Sequence, residues 1–190
     1  MPEYIDIYGL TKHRDAETIG RFLDEFVDES AHEDMGDEEL MLLPLGRRKW
    51  GTKYLSPEVH EQAMRHDEAY REQFHEPEWE AAASLRHVIQ RGLDYPRRAF
   101  TVYLRPRDPG IDDVTLSFTV DDMLILGISV DAEQEGRRGR ELLGKIMQHY
   151  DCFLGMIAAE EAPPVSEGEF RSAGARPHNM YFVEAGGSPD

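Results

Sequence analysis

This sequence has a single cysteine, Cys152, and no apolar run that approaches the ~20 residues of a membrane-spanning helix. One cysteine excludes an internal disulfide bond, on which small secreted domains commonly depend. The N-terminal residues 1–4 also lack the basic and then apolar layout of a signal peptide. We therefore expect a cytoplasmic protein that does not enter a membrane.

Positive charge is scarce in this chain. Its 21 lysine and arginine residues stand against 38 acidic residues, which leaves a formal net charge of −17. Such a field repels phosphate backbones and anionic lipids, so we expect no binding to nucleic acid. A length of 190 residues with 40% hydrophobic residues suits a folded domain. We predict one domain over residues 1–190.

The common catalytic motifs are missing as well. The sequence contains no Walker P-loop, no G-x-S-x-G elbow and no G-x-G-x-x-G loop. A zinc protease needs a second histidine one helical turn after a His-Glu pair, and all three such pairs here lack it. Cys152 opens an apolar segment, where cysteine usually serves as a small core residue. We predict no metal site, no cofactor and no catalytic residue.

Negative charge is concentrated in one stretch of the chain. Residues 15–39 hold eleven acids against one base, Arg21, and so supply −10 of the net charge of −17. This stretch is either a solvated helix face with its loop or an acidic surface for a basic partner protein. The second hypothesis places the partner surface within residues 24–39. Its central residues are Asp24, Asp28, Glu33, Asp34 and Asp37.

Hydrophobic periodicity predicts an α+β fold with the element order β-α-β-α-α-β-β-β-α-β. The sheet is expected to be mainly antiparallel, with about five to six strands and helices packed on it. The predicted strands cover residues 4–8, 40–45, 100–104, 114–120, 123–130 and 152–159, with 180–183 as a further edge strand. The predicted helices cover residues 15–30, 57–74, 77–92 and 138–149.

Three stretches outside these elements receive a coarser prediction. Residues 46–56, in which basic and aromatic side chains are mixed, are predicted to form a surface loop. Residues 57–92 are predicted to be a helical insertion, because no linker separates them from the rest of the domain. The chain after residue 160 is predicted to be irregular up to the edge strand.

The segment 130–143 joins a predicted central strand to a helix. Gln134 and Gly139 fit the pattern Q/R-x-x-G-x-G/A, although Arg137 stands where the first glycine belongs. The segment resembles the acyl-CoA loop of the GNAT acetyltransferases, in which the first helix amides hold a pyrophosphate. The resemblance implies an acyl-CoA-dependent N-acyltransferase that binds its coenzyme through Gln134, Arg138 and Gly139. The alternative is a polar loop between a strand and a helix.

The leading functional hypothesis is a binding or regulatory protein that acts through its acidic surface. Small, acidic, cysteine-poor domains without a catalytic set resemble in type the immunity and inhibitor proteins that mask a basic site on a partner. Complementary charge would speed association and orient the two proteins. The second hypothesis is a divergent acyl-CoA-dependent transferase. The two differ in whether residues 134–139 present free backbone amides to a pyrophosphate.

Overall fold

Nine strands and four helices are found in the part of the chain that this computed structural model describes, namely residues 4–28, 39–44, 49–55, 65–66, 80–81, 85–94, 97, 99–132, 135–176 and 181–186. The strands are β1 (Tyr4–Thr11), β2 (Glu39–Pro44), β3 (Lys49–Leu55), β4 (Glu80–Ala81), β5 (Ala99–Leu104), β6 (Asp113–Phe118), β7 (Leu124–Asp131), β8 (Leu154–Ala159) and β9 (Tyr181–Glu184). The helices are α1 (Ala16–Phe26), α2 (Leu85–Asp94), α3 (Arg140–His149) and α4 (Glu167–Gly174).

The strands form one sheet in the order β4-β2-β3-β5-β6-β7-β1-β8-β9. Neighbouring strands are antiparallel except for β3 and β5, which are parallel. The predicted α+β class and the mainly antiparallel sheet are confirmed. The sheet is wider than predicted because β3 and β4 also belong to it. None of the helices in the described part of the chain is long and apolar enough to cross a bilayer.

The strand β3 corrects the prediction of a basic surface loop over residues 46–56. This segment has the strand-favouring residues Trp50, Thr52 and Tyr54 at every second position, and a spacing of two is typical of a strand. The mixture of charges and aromatic residues conceals this alternation in the sequence.

The predicted helix over residues 77–92 starts later than expected. The strand β4 occupies Glu80–Ala81 and pairs with β2, and α2 begins at Leu85. Gly92, predicted to end this helix, lies inside it, where a Cβ atom would collide with the Phe118 ring. The predicted helix over 57–74 lies outside the described residues, apart from the helical pair 65–66.

The three-strand meander and α3 follow the sequence prediction, whereas α1 ends at Phe26 and not near residue 30, because Val27 is extended and bridges to Pro106. β5, β6 and β7 are consecutive and antiparallel, and Leu143 and Ile146 of α3 are buried against the sheet. In α1, the side chain of Asp15 caps the helix by accepting a hydrogen bond from the Thr18 amide at 2.8 Å. The apolar side of α1 is buried on the same face of the sheet as α3.

The opposite face of the sheet is covered at one end by α4, which corrects the prediction of irregular chain after residue 160. Phe170 and Ala173 of this helix pack on the apolar end of that face. Ser166 accepts a hydrogen bond from the Glu169 amide at 3.1 Å, and the Glu169 carboxylate accepts one from the Val165 amide at 3.1 Å. This arrangement is close to a capping box, whose S-x-x-E spacing is visible in the sequence. α4 therefore covers one end of the face and leaves the other end open.

Candidate binding site

A cavity of about 500 Å³ lies at the end of the sheet face that α4 leaves open. Side chains of β1, β5, β6 and β7 form its floor, and the segment that follows β8 forms one wall. The described residues that line it are Tyr4, Asp6, Tyr8, Tyr103, Asp112, Asp113, Thr115, Ser129, Glu160, Glu161, Ala162 and Pro163. None of these residues is basic.

Strand register brings the polar side chains of the floor into rows. Asp6 of β1 lies opposite Ser129 of β7, which in turn lies opposite Asp113 of β6. Alternate residues of a strand point to the same face, so the next row lies two residues further along each strand. That row consists of Tyr8, Gly127, Thr115 and Tyr103. The cavity floor therefore combines two carboxyl groups with two tyrosine side chains.

Asp6 connects the floor to the wall of the cavity. Its carboxylate accepts a hydrogen bond from the Ser129 hydroxyl at 2.5 Å and one from the Glu161 amide at 2.8 Å. The Tyr8 hydroxyl donates to the Glu161 carbonyl at 2.6 Å. Burial raises the pKa of Asp6 above its ordinary value, although both hydrogen bonds favour the ionised form. Both oxygens of Asp6 are thus engaged within the protein.

Asp113 is the second carboxyl group of the floor. It accepts a hydrogen bond from the Val114 amide at 2.9 Å. The pKa of Asp113 is raised to about 6, chiefly by burial; repulsion from the carboxyl groups of Asp6 and Asp112 contributes to the rise, and backbone hydrogen bonds from Val114 and Leu104 oppose it. A cation placed beside Asp113 would lower the pKa of this carboxyl group again, because the positive charge would favour the ionised carboxylate.

Tyr4 and Tyr103 are the large hydrophobic side chains that the described part of the protein exposes, with 42% and 39% of their surface accessible. Both line the cavity. Burial raises the pKa of Tyr103, and more strongly that of Tyr8, so both hydroxyl groups stay protonated. Aromatic faces next to carboxylates attract organic cations, because the ring face carries partial negative charge. The cavity therefore has the chemistry of a cation site.

The residues predicted for the partner surface are only partly described. Asp24 is exposed on α1, and α1 packs on the face of the sheet opposite to the cavity. The backbone amide of Asp28 bonds to the Arg105 carbonyl at 3.1 Å, just beyond the end of α1. Glu33, Asp34 and Asp37 lie outside the described residues. The predicted partner surface and the cavity are therefore separate where the structure describes both.

The residues predicted to bind acyl-CoA have structural partners. The Arg138 guanidinium pairs with the Asp108 carboxylate at 2.9 Å. Gly139 is buried, and a Cβ atom there would come within 3.3 Å of Ile5 Cδ1. A side chain at this position would be tight against Ile5, which would have to shift by a few tenths of an ångström. Gln134 lies outside the described residues.

The chain enters α3 through a wide, π-type turn over Glu135–Gly139. Such a turn differs from the regular first turn of an α-helix, because its hydrogen bonds run from amides to carbonyls five residues earlier. Glu141 adds negative charge to the first turn of α3. In the sheet, β1 lies between β7 and β8 and pairs with both, so no gap separates these strands. This geometry does not favour the acyl-CoA hypothesis, which stays a prediction.

Other candidate reactive groups have structural roles. Cys152 is 3% exposed, and burial raises the pKa of its thiol to about 12. Asp121 and Asp122 form a turn and accept hydrogen bonds from different segments, at the Glu167 and Arg97 amides. Within the described ranges, no three histidine, cysteine, aspartate or glutamate side chains converge as a metal ion would require.

The sequence analysis missed the cavity, although one signal for it is present. Asp6 stands between Ile5 and Ile7 in a strand whose other residues up to Leu10 are apolar or aromatic. An acid at such a position indicates a specialised polar site, but it does not reveal that Asp113 lies two strands away. Comparison with protein-family models, with curated proteins and with solved structures gave no match to this chain.

Proposed function

We propose that this protein binds a basic partner protein and receives a cationic side chain of that partner in the cavity on the open face of the sheet. The observation that carries the proposal is the cavity itself, which joins carboxyl groups to exposed tyrosine rings and has no basic residue among its described lining. Binding of this kind needs no catalytic group. It suits a regulatory protein that masks a basic site.

The charge of the whole chain supports the same proposal. A net charge of −17 creates a negative field that attracts a basic partner over a distance, and a cleft lined by charges of one sign focuses that field. The acidic residues of α1, the described part of the stretch 15–39, add to the attraction from the other face of the sheet. The field would accelerate association, while the cavity would supply the specific contact.

The test measures binding of a fluorescent peptide rich in lysine and arginine by anisotropy. We expect saturable binding to the wild type that weakens with salt, because the screening length falls from about 10 Å at 0.1 M to about 3 Å at 1 M ionic strength. Asp113→Asn combined with Tyr103→Leu should remove most of the binding. Asp24→Asn is the matched control, since it removes a carboxylate from α1 on the opposite face.

The outcome separates the two acidic surfaces. Loss of binding in the cavity variant alone supports the proposal. Loss in Asp24→Asn alone assigns the interaction to the acidic segment 24–39 and contradicts the role of the cavity. Equal binding by all three proteins shows that the peptide responds only to net charge, and the proposal then fails.

A further inference from the structure

One buried polar side chain on the sheet lacks a hydrogen-bond partner within the described part of the chain. Eight polar side chains of the described residues are buried. Seven of them have a partner, namely Asp6, Thr11, Thr18, Thr101, Ser117, Thr119 and Ser129. The eighth is Thr115, which is 3% exposed and whose hydroxyl bonds to none of the described residues. A buried polar group without a partner costs free energy, so a ligand that bonds to it gains affinity.

The Thr115 hydroxyl opens into the cavity. Thr115 lines the cavity, and its hydroxyl oxygen is not sealed in the interior. Exposure falls along β6 from Asp112, which is exposed, through Asp113, which is half-buried, to Thr115. The cavity therefore deepens along this strand. The buried polar groups of the neighbouring row, Asp6 and Ser129, bond to each other at 2.5 Å, so Thr115 is the group that a ligand tip would meet.

The charge of the lining decides what kind of atom this hydroxyl would meet. A hydroxyl can donate or accept a hydrogen bond. The cavity is lined by five carboxyl groups, those of Asp6, Asp112, Asp113, Glu160 and Glu161. These groups repel a negatively charged acceptor and attract a cation. The hydroxyl is therefore expected to accept a hydrogen bond from a positively charged donor. A tyrosine ring, in contrast, attracts any cation, including a quaternary ammonium group that has no N–H to donate.

Building on the proposed function, we propose that Thr115 is the inner contact for the bound cation and that its hydroxyl accepts a hydrogen bond from an N–H group of that cation. The site thereby selects cations that carry N–H groups, as lysine and arginine side chains do, over quaternary ammonium groups. The carboxyl groups attract both kinds of cation through charge. The hydroxyl separates them, because a hydrogen bond from a charged donor is stronger than a neutral one.

The experiment compares three peptides of one design whose basic positions are all lysine, all dimethyllysine or all trimethyllysine. The three peptides carry the same charge, and dimethyllysine keeps one N–H at nearly the bulk of trimethyllysine. Calorimetry on the wild-type protein should show the dimethyllysine peptide binding about tenfold more tightly than the trimethyllysine peptide, which is the effect expected for one hydrogen bond to a charged group. The lysine peptide should bind at least as tightly as the dimethyllysine peptide.

Three variants locate the effect. Thr115→Val replaces the hydroxyl with a methyl group and should reduce the affinity for the dimethyllysine peptide to that for the trimethyllysine peptide. Its urea midpoint should be equal to that of the wild type or higher, because no partner within the protein is lost. Thr115→Ser keeps the hydroxyl and should retain the preference. Thr101→Val is the matched control. The Thr101 hydroxyl bonds to that of Ser117 at 2.9 Å outside the cavity lining, so this variant should lower the urea midpoint and leave the preference unchanged.

The outcomes distinguish this inference from the proposed function. Equal affinity of the wild type for the dimethyllysine and trimethyllysine peptides overturns the inference and leaves the proposed function standing if the lysine peptide binds. A preference that persists in Thr115→Val also overturns the inference, because another group then recognises the N–H. Absence of binding by all three peptides overturns the proposed function together with the inference. The comparison on the wild type does not depend on the folding of any variant.

Discussion

Replacing Asp113 with asparagine removes a negative charge from the cavity while keeping a side chain of nearly the same size. In the unfolded chain this carboxyl group has its ordinary pKa of 3.8, and in the folded protein burial raises the pKa to about 6. The folded state therefore holds the proton more tightly than the unfolded state does. The stabilisation is complete below pH 3.8 and is lost as the pH rises through 6.

The expected size of this effect follows from the shift. A change of one pKa unit corresponds to about 1.4 kcal/mol, so the shift sets an upper limit of ~3 kcal/mol. The carboxyl group retains partial contact with solvent, which reduces the expected effect to roughly 1–2 kcal/mol. The free energy of unfolding of the wild type should fall by that amount, relative to the variant, between about pH 4 and pH 7.

Urea unfolding at a series of pH values measures this difference. Asparagine cannot replace every hydrogen bond of the carboxylate, but such a loss shifts the stability of the variant by the same amount at every pH. The informative quantity is therefore the slope of the difference with pH. Asp24→Asn serves as the control and should give a flat difference, within about 0.5 kcal/mol. Parallel curves for the wild type and Asp113→Asn would refute the argument that a buried charge lies in the cavity.

Three further predictions concern the packing around the sheet. Phe170→Ala should lower the free energy of unfolding in urea by about 3–5 kcal/mol, because the ring is fully buried between α4 and the sheet. Burial opposes ionisation of Glu25, but its hydrogen bonds with Lys145, Tyr150 and His149 outweigh burial and lower its pKa. Glu25→Gln should therefore destabilise the protein at neutral pH by a few tenths to about 1 kcal/mol, and the difference should vanish in pH-dependent urea unfolding as the pH falls below 4.5. The Cys152 thiol should react with a thiol reagent only at the rate of unfolding, as followed by absorbance in increasing urea.

Local sequence patterns predict those helices and strands in which the buried residues recur at one regular spacing. α1 has a cap at Asp15 and a repeating apolar face, and the strands β5 and β6 alternate apolar and polar residues. In contrast, β4 is two residues long and exists only through its pairing with β2. A segment that short has no period of its own, so its conformation depends on a partner distant in the sequence.

The cavity could not be predicted because it depends on register between distant strands. Asp6 and Asp113 are brought into one row by pairing of both β1 and β6 with β7. A shift of one residue in either pairing would turn one carboxyl group to the opposite face. The sequence contains the acids but not the register. The concentration of acidic residues in 15–39 is evident from the sequence alone. Reasoning from the sequence therefore selects that surface before the cavity.

The two ends of the open sheet face indicate why the cavity is a site and not merely uncovered surface. At one end, Leu10 and Ile125 are covered by Phe170 of α4, so apolar area is removed from water. At the other end, Asp6 is buried and Asp113 is half-buried, both with raised pKa values, a condition that destabilises the ionised folded protein at neutral pH. Threonine or lysine on a solvated sheet face would avoid that cost. A cation bound between Asp113 and the tyrosine rings would offset it, so the stability lost without the ligand would return as binding energy.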